Sequence, residues 1–360
     1  MTAPSNIFDC SKDETLASLG EQTVLKRLQK FCSQEVIGDD GAAIFWRSPP
    51  QPNGINSQDA GDYSGNHSGD YLVVTTDVLV DGVHFSDRTT PAHSVGWRGA
   101  AANLSDLAAM GAEPVGLTVG LALPGSTQWR WIEGLYQGLK DCGDSYDAPI
   151  IGGDLCRSSV ATLSITALGR AGRSHLIQRS ALQPGDYLIA TGIHGASRAG
   201  LELLLNPETG KNLPEIQRKS WIRAHQYPRP RLDWLPLLKM AEREIAGMDS
   251  SDGLGDAVVQ LARVSGCGVE LWGDSLPIPK GLVGWVGLET GREWTLYGGE
   301  DFELSMGMPE EVIKELNCNF PISYYVIGRA VMEKGVKLVE KEGGRAIANL
   351  SLDQGFQHFS

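Results

Sequence analysis

Seven short acidic islands, nearly all flanked by glycine or other small residues, punctuate this chain of 360 residues. They read Gly38-Asp39-Asp40-Gly41, Thr75-Thr76-Asp77, Asp81-Gly82-Val83-His84, Asn103-Leu104-Ser105-Asp106, Gly152-Gly153-Asp154, Asp249-Ser250-Ser251-Asp252-Gly253 and Gly298-Gly299-Glu300-Asp301. Asp-Gly and Gly-Asp are ordinary turn chemistry, so a single island says only that a regular element stops there. Carboxylates beside hydroxyls and exposed backbone also suit hard cations, which demand oxygen ligands and hold phosphates through them. The number and order of the islands point to a magnesium-dependent enzyme that handles a nucleotide and a second phosphorylated compound.

Strand-like and helix-like segments alternate between the islands. Residues 14–32 carry Leu16, Leu19, Val24, Leu25, Leu28 and Phe31 at helical spacing. A polar stretch, 47–70, is rich in Pro, Gly, Asn and Ser and reads as a surface loop or hairpin insertion. Residues 71–75 form a short strand that delivers Thr76 and Asp77 at its end. A helix over 94–110 puts Trp97, Ala101, Leu104 and Ala108 on one stripe, with Asn103 and Asp106 three apart on a neighbouring face. Residues 115–123 read as a strand, the next helix starts near Thr127, and 149–151 is a short buried strand ending in Gly152-Gly153-Asp154. After a strand over 160–170, a fresh turn and strand at 184–192 place a second domain from residue 172. Helices are predicted over 197–205, 232–244 and 252–264, and strands over 269–272, 302–306 and 324–327. The mixture gives an α/β (α+β) fold in two lobes, 1–171 and 172–360.

A net charge of −13 argues against nucleic acid as the main partner. It leaves room for a small anionic substrate if metal ions reverse the local sign. The six cysteines form no Cys-x-x-Cys pair and no Cys/His cluster, so reduced cytosolic thiols are expected. The acidic first residues do not resemble a signal peptide and no apolar run reaches membrane-spanning length, so a cytoplasmic protein without a membrane partner is expected. The common phosphate-binding motifs are absent. Glu208-Thr209-Gly210-Lys211-Asn212 lacks the upstream glycine and the hydroxyl of a Walker loop. Gly253-Leu254-Gly255 lacks the third glycine of a dinucleotide fingerprint. The nucleotide must be held in another way.

The islands, together with Gly82-Val83-His84-Phe85, the run Ala102-Asn-Leu-Ser-Asp-Leu-Ala-Ala-Met-Gly111, Tyr297-Gly-Gly-Glu-Asp301 and the terminal Gly355-Phe356-Gln357-His358-Phe359, resemble the thiamine-monophosphate kinase family in order and spacing. The run from Ala102 to Gly111 is similar across the wider aminoimidazole-ribonucleotide synthetase-like superfamily. The resemblance implies two α/β domains, N-terminal domains paired in a homodimer, and transfer of the γ-phosphoryl group of ATP to thiamine monophosphate. It implies magnesium ligands at Asp40, Thr75, Thr76, Asp77, Asp106, Asp154, Asp249 and Asp252. It places ATP against Tyr136, Gly153, Asp154, Arg179 and Ser251, and the thiamine phosphate against His84, Glu300 and Phe356. No residue is implied as a covalent nucleophile.

Physical chemistry gives a reason for so many carboxylates. Terminal phosphates carry about −1.5 to −2 each near neutral pH, and bringing two together costs several kcal/mol even at an effective dielectric of about 20. Several magnesium ions would offset that repulsion and align the oxygens. Structural readings stand beside these roles: a turn cap for Asp40, a strand-end turn for Asp77, a helix start for Asp249 and Asp252, an apolar stripe for Tyr136. Asp106 is harder to explain structurally, since it sits among Leu104, Leu107, Ala108 and Ala109 and would be buried without a partner. The enzyme alternative is a relative such as aminoimidazole-ribonucleotide synthetase or selenophosphate synthetase, and Cys10 does not sit in the glycine-rich segment the latter requires. A non-catalytic nucleotide or thiamine-phosphate sensor would have lost some of the acidic positions, and here all are present.

Overall fold

The computed structural model describes residues 16–31, 38–46, 70–172, 175–239, 244–319 and 323–355. The expected helix over 14–32 is split into α1 (Leu16–Leu19) and α2 (Glu21–Leu28), because Gly20 between them takes φ 70°. Five strands make the first sheet: β1 (Ala42–Trp46), β2 (Asp70–Val80), β3 (Glu113–Leu123), β4 (Ile150–Arg157) and β5 (Thr162–Gly172). Their order is β1-β2-β5-β3-β4. Two helices accompany them, α3 (Ala92–Ala109) and α4 (Trp129–Ser145). The buried Leu104 and Leu107 of α3 share a core with Val119, Leu163 and Ile165 of the sheet.

Two strands differ from their sequence reading. β2 continues to Val80 because it pairs with β5 in unbroken antiparallel register, Asp70 opposite Gly172 through Val80 opposite Thr162. Asp77 therefore lies within a strand, not at its end. β4 is eight residues long and exposed over nearly all of its length, where a short buried strand was expected. The sheet order explains this: β4 has β3 on one side, in parallel, and no strand on the other among the described residues.

β6 (Tyr187–Ala190) begins the second sheet, which also takes β7 (Ala246–Asp249), β8 (Gly268–Trp272), β9 (Leu304–Met308), β10 (Tyr325–Val331), β11 (Gly335–Val339) and β12 (Ala346–Leu350). The order is β12-β11-β8-β10-β6-β9-β7. With it come α5 (Ala196–Leu205), α6 (Glu215–Gln226), α7 (Leu235–Leu238), α8 (Leu254–Ser265), α9 (Leu282–Val286), α10 (Leu288–Tyr297) and α11 (Glu310–Asn319). The helix expected over 232–244 reduces to a turn and the four residues of α7, with residues 240–243 outside the described set. Most of the polar insertion, 47–69, also lies outside it.

The two sheets meet at α3 and β7. Ala108 and Ala109, at the end of α3, are buried in one cluster with Ile177, Ile189, Leu304 and Met306 of the second half. Apolar burial of this kind, at roughly 25 cal/mol per Å², fixes the helix that carries Asp106 against the strand that carries Asp249.

Candidate functional site

Asp40 sits in the bend before β1, Asp77 on β2, Asp106 in the last turns of α3 and Asp249 at the end of β7. Four distant stretches of sequence thus converge. Carboxylate oxygens of Asp40, Asp106 and Asp249 lie within 4.8 Å of one another, the grouping of possible metal ligands among the described residues. The hydroxyl of Thr75 donates to Asp106 Oδ2. The hydroxyls of Ser105 and Ser251 donate to Asp249 at 2.8 and 2.9 Å.

Crowding and burial raise every carboxyl in the group. Burial pushes Asp40 to about 7 against the opposing pull of Arg179. It pushes Asp77 to about 6, with Asp40 adding to the rise. Asp106 is raised well above the ordinary range, by burial first and then by Asp77, Asp249 and Asp40. Burial also takes Asp249 to about 6, although its hydroxyl donors work the other way. Like charges at such spacing favour protons or cations between them. The donors are all oxygens, the set that a hard divalent ion prefers, so magnesium fits these residues.

Arg179 closes one side of the group. Its Nη2 and Nε donate to the two oxygens of Asp40 at 2.8 and 3.3 Å, its Nη1 to Gln260 Oε1 at 2.9 Å, and its backbone N–H to Asp39 at 2.8 Å. On the other side opens a cavity of about 890 Å³ between the two halves. Thr76, Asp77, Asp106, Asp249, Ser251 and Asp252 line its head, and His84 and Glu300 its walls. His84 Nδ1 accepts the Val80 N–H at 3.1 Å, which aims the ring. Glu300 donates its backbone N–H to the Ser251 carbonyl at 2.7 Å, stitching the Gly-Gly-Glu loop to the Asp249 island.

Three sequence-selected residues stand elsewhere. Gly153 and Asp154 lie on the exposed β4, and Tyr136 on α4 lines a separate hollow of about 1050 Å³ together with Trp129 and Leu155. Gly153 has a local reason to be glycine, since a Cβ there would stand 2.2 Å from the Val119 carbonyl oxygen. Asn103, the expected neighbour of Asp106, is fully buried and donates to the Gly99 carbonyl at 3.0 Å, away from the group. Phe356 lies outside the described residues, but Gln354 and Gly355 before it reach the cavity wall. Sequence reasoning missed Arg98 and His225, both buried and both on the cavity wall. Arg98, the one basic residue inside the 94–110 segment, was the available signal.

A family model for "AIR synthase related protein, N-terminal domain" matches residues 57–171. A thiamine-monophosphate kinase of Synechococcus elongatus is 44% identical over 355 residues, covering 97% of this chain and 99% of its own. The chain belongs to the thiamine-monophosphate kinase family. A second member, from Prochlorococcus marinus, is 38% identical and covers 96% of this chain and 98% of its own. Among solved structures, "AaThiL complexed with AMPPCP and TMP" superposes with a TM-score of 0.75 at 29% identity, covering 94% of this chain and 100% of that one. The α/β architecture expected from the sequence is the one found. Among the described residues, no helix is long and apolar enough to cross a membrane.

Proposed function

We propose that this chain transfers the γ-phosphoryl group of ATP to thiamine monophosphate, giving thiamine diphosphate and ADP. The observation that carries the reading is the gathering of Asp40, Asp106 and Asp249 at the head of a cavity whose walls hold His84 and Glu300. Membership of the kinase family supports it, as does the neighbour's complex with AMPPCP and TMP.

In this reading Asp40, Asp77, Asp106, Asp154, Asp249 and Asp252 hold magnesium ions, with oxygens of Thr75 and Thr76 beside them. Bound there, the ions would neutralise the phosphates of both substrates. Arg179 and Ser251 meet the nucleotide phosphates from the second half of the chain. His84 and Glu300 flank the acceptor, Phe356 from the tail completing that side. Gly153, Asp154 and Tyr136 belong to the nucleotide end. Their place on an exposed strand edge, where Ile151 and Leu155 also face outward, suits a homodimer in which a second copy covers β4. Residues 1–171 would form the metal-binding and pairing domain, and 172–360 the domain that covers the site.

In this reading none of the site residues named above is left over as a phosphate carrier. The carboxylates are engaged at the metal end, and the Ser251 hydroxyl donates to Asp249. An acceptor phosphate oxygen is already nucleophilic at neutral pH, so alignment and charge neutralisation would supply most of the rate by direct in-line transfer. The test is product analysis: ATP, magnesium and thiamine monophosphate should yield thiamine diphosphate, with free thiamine a poor acceptor because it brings no phosphate to the metal end. Comparable turnover of both acceptors would overturn the assignment.

A further inference from the structure

Arg98 presents a buried charge that the residues above leave without a task. It lies on α3 two turns before Asp106, and its side chain is 3% exposed. Its Nη2 donates to Glu300 Oε1 and its Nη1 to the backbone carbonyl of His225 on α6. One planar guanidinium therefore joins α3, α6 and the Gly298-Gly299-Glu300 loop. A lysine, with a single ammonium, could not span both partners in fixed directions.

Glu300 is held in an unusual way. Its φ is 59° and that of Phe302 is 52°, left-handed values that cost an L-residue backbone strain. Glycine at 300 would remove that cost, so the carboxylate itself is what the position keeps. Arg98 occupies Oε1, whereas Oε2 has His225 Nδ1 at 3.6 Å, beyond hydrogen-bond reach. The His225 ring is itself fixed, its Nδ1 3.1 Å from the Ser197 hydroxyl. The Glu300 side chain is 32% exposed, and Glu300 lines the cavity.

We propose that Arg98 is a positioning residue that sets acceptor specificity. By pinning Oε1 it presents Oε2 of Glu300 to the cavity as one directed acceptor for an amino-bearing, cationic ring. Because α3 also carries Asp106, the same helix fixes how far that ring stands from the acceptor's phosphate. This inference rests on the kinase reading above. Arg98 acts through Glu300 and touches neither substrate.

The experiment is a double-mutant comparison of Arg98→Met, Glu300→Gln and the pair, with steady-state constants for both substrates and a melting curve for each protein. Arg98→Met should raise KM for thiamine monophosphate at least tenfold while leaving KM for ATP within twofold. In the Glu300→Gln background the same change should alter the acceptor KM by less than twofold, since the oxygen it positions is gone. A mainly structural arginine would lower stability and shift both substrates alike in either background. Arg98→Met alone leaves the partly buried Glu300 without its cation, so should that protein not fold, the charge-free pair against Glu300→Gln and the Arg98→Lys protein carry the comparison. Arg98→Lys should then show the same selective rise in acceptor KM. An acceptor KM within twofold of normal in an active Arg98 variant, or equal effects in both backgrounds, overturns the proposal and leaves the kinase reading standing. A wild-type protein that does not phosphorylate thiamine monophosphate overturns both.

Discussion

Asp106 is where the demands on single residues conflict most sharply. Its carboxyl is enclosed by the end of an apolar helix, faces two other carboxylates within 4.8 Å, and has the Thr75 hydroxyl as its donor. Left alone it favours its protonated form, and a cation would relieve the same strain. Asp106→Asn keeps size and hydrogen bonding while removing the charge. It should lower turnover by at least about a hundredfold, the scale of losing one transition-state charge contact. The metal-free melting temperature should hold or rise, because a buried repulsion disappears. Near-normal turnover at limiting magnesium would show Asp106 to be structural only. The acidic positions were legible in sequence because glycine and hydroxyl neighbours mark them locally. Arg98 and His225 were not, since burial and a partner 202 residues away exist only in the folded chain.

Among elements, α3 decides most. Its stripe was readable from periodicity, and so was its extent to within two residues. What the sequence could not show is how closely α4 lies on it. A Cβ at Gly138 of α4 would stand 1.8 Å from the His93 carbonyl oxygen, and one at Gly96 of α3 would stand 1.9 Å from that of Leu135. Gly138→Ala must push the helices apart, and overpacking of this kind costs about 1–3 kcal/mol. Calorimetry should find a melting temperature lower by several degrees, with acceptor turnover reduced as α3 shifts Arg98 and Asp106 together. An unchanged melting temperature would mean that the helices slide past the added methyl freely. β4 teaches the converse. Pro149, Ile150 and Ile151 read as a buried strand because short apolar runs do not reveal which side of a sheet they occupy. Only the strand order shows that β4 forms an edge.

For the molecule as a whole, the acidic site couples stability to pH and, in the proposed kinase, to magnesium. In the folded chain Asp40 sits near 7 and Asp77 and Asp249 near 6, above the 3.8 of an unfolded chain. Between about pH 4 and 7 the folded form therefore keeps protons that the unfolded form has lost. Without metal these groups make stability fall as pH rises through that window, and the effect levels off above it. His194 and His225, lowered to about 4 by burial, act oppositely between 4 and 6.5. Magnesium must displace the carboxyl protons, so its stabilising effect should grow from pH 5.5 to 8 and its binding should release protons. Melting curves with and without magnesium at the two pH values check this. Equal magnesium shifts at both would contradict a carboxylate site.

The position of that site between the halves also bears on how the chain is made. Asp40, Asp77 and Asp106 leave the ribosome well before Asp249, and Arg98 well before Glu300. Each early residue meets its counterpart only after β7, α10 and the loop behind α10 have been synthesised and docked. A nascent or truncated chain that holds every strand of the first sheet still lacks the oxygens that close the group. In the proposed kinase, the capacity to engage ATP would thus arrive last. An unfinished copy would have no assembled centre with which to waste the nucleotide.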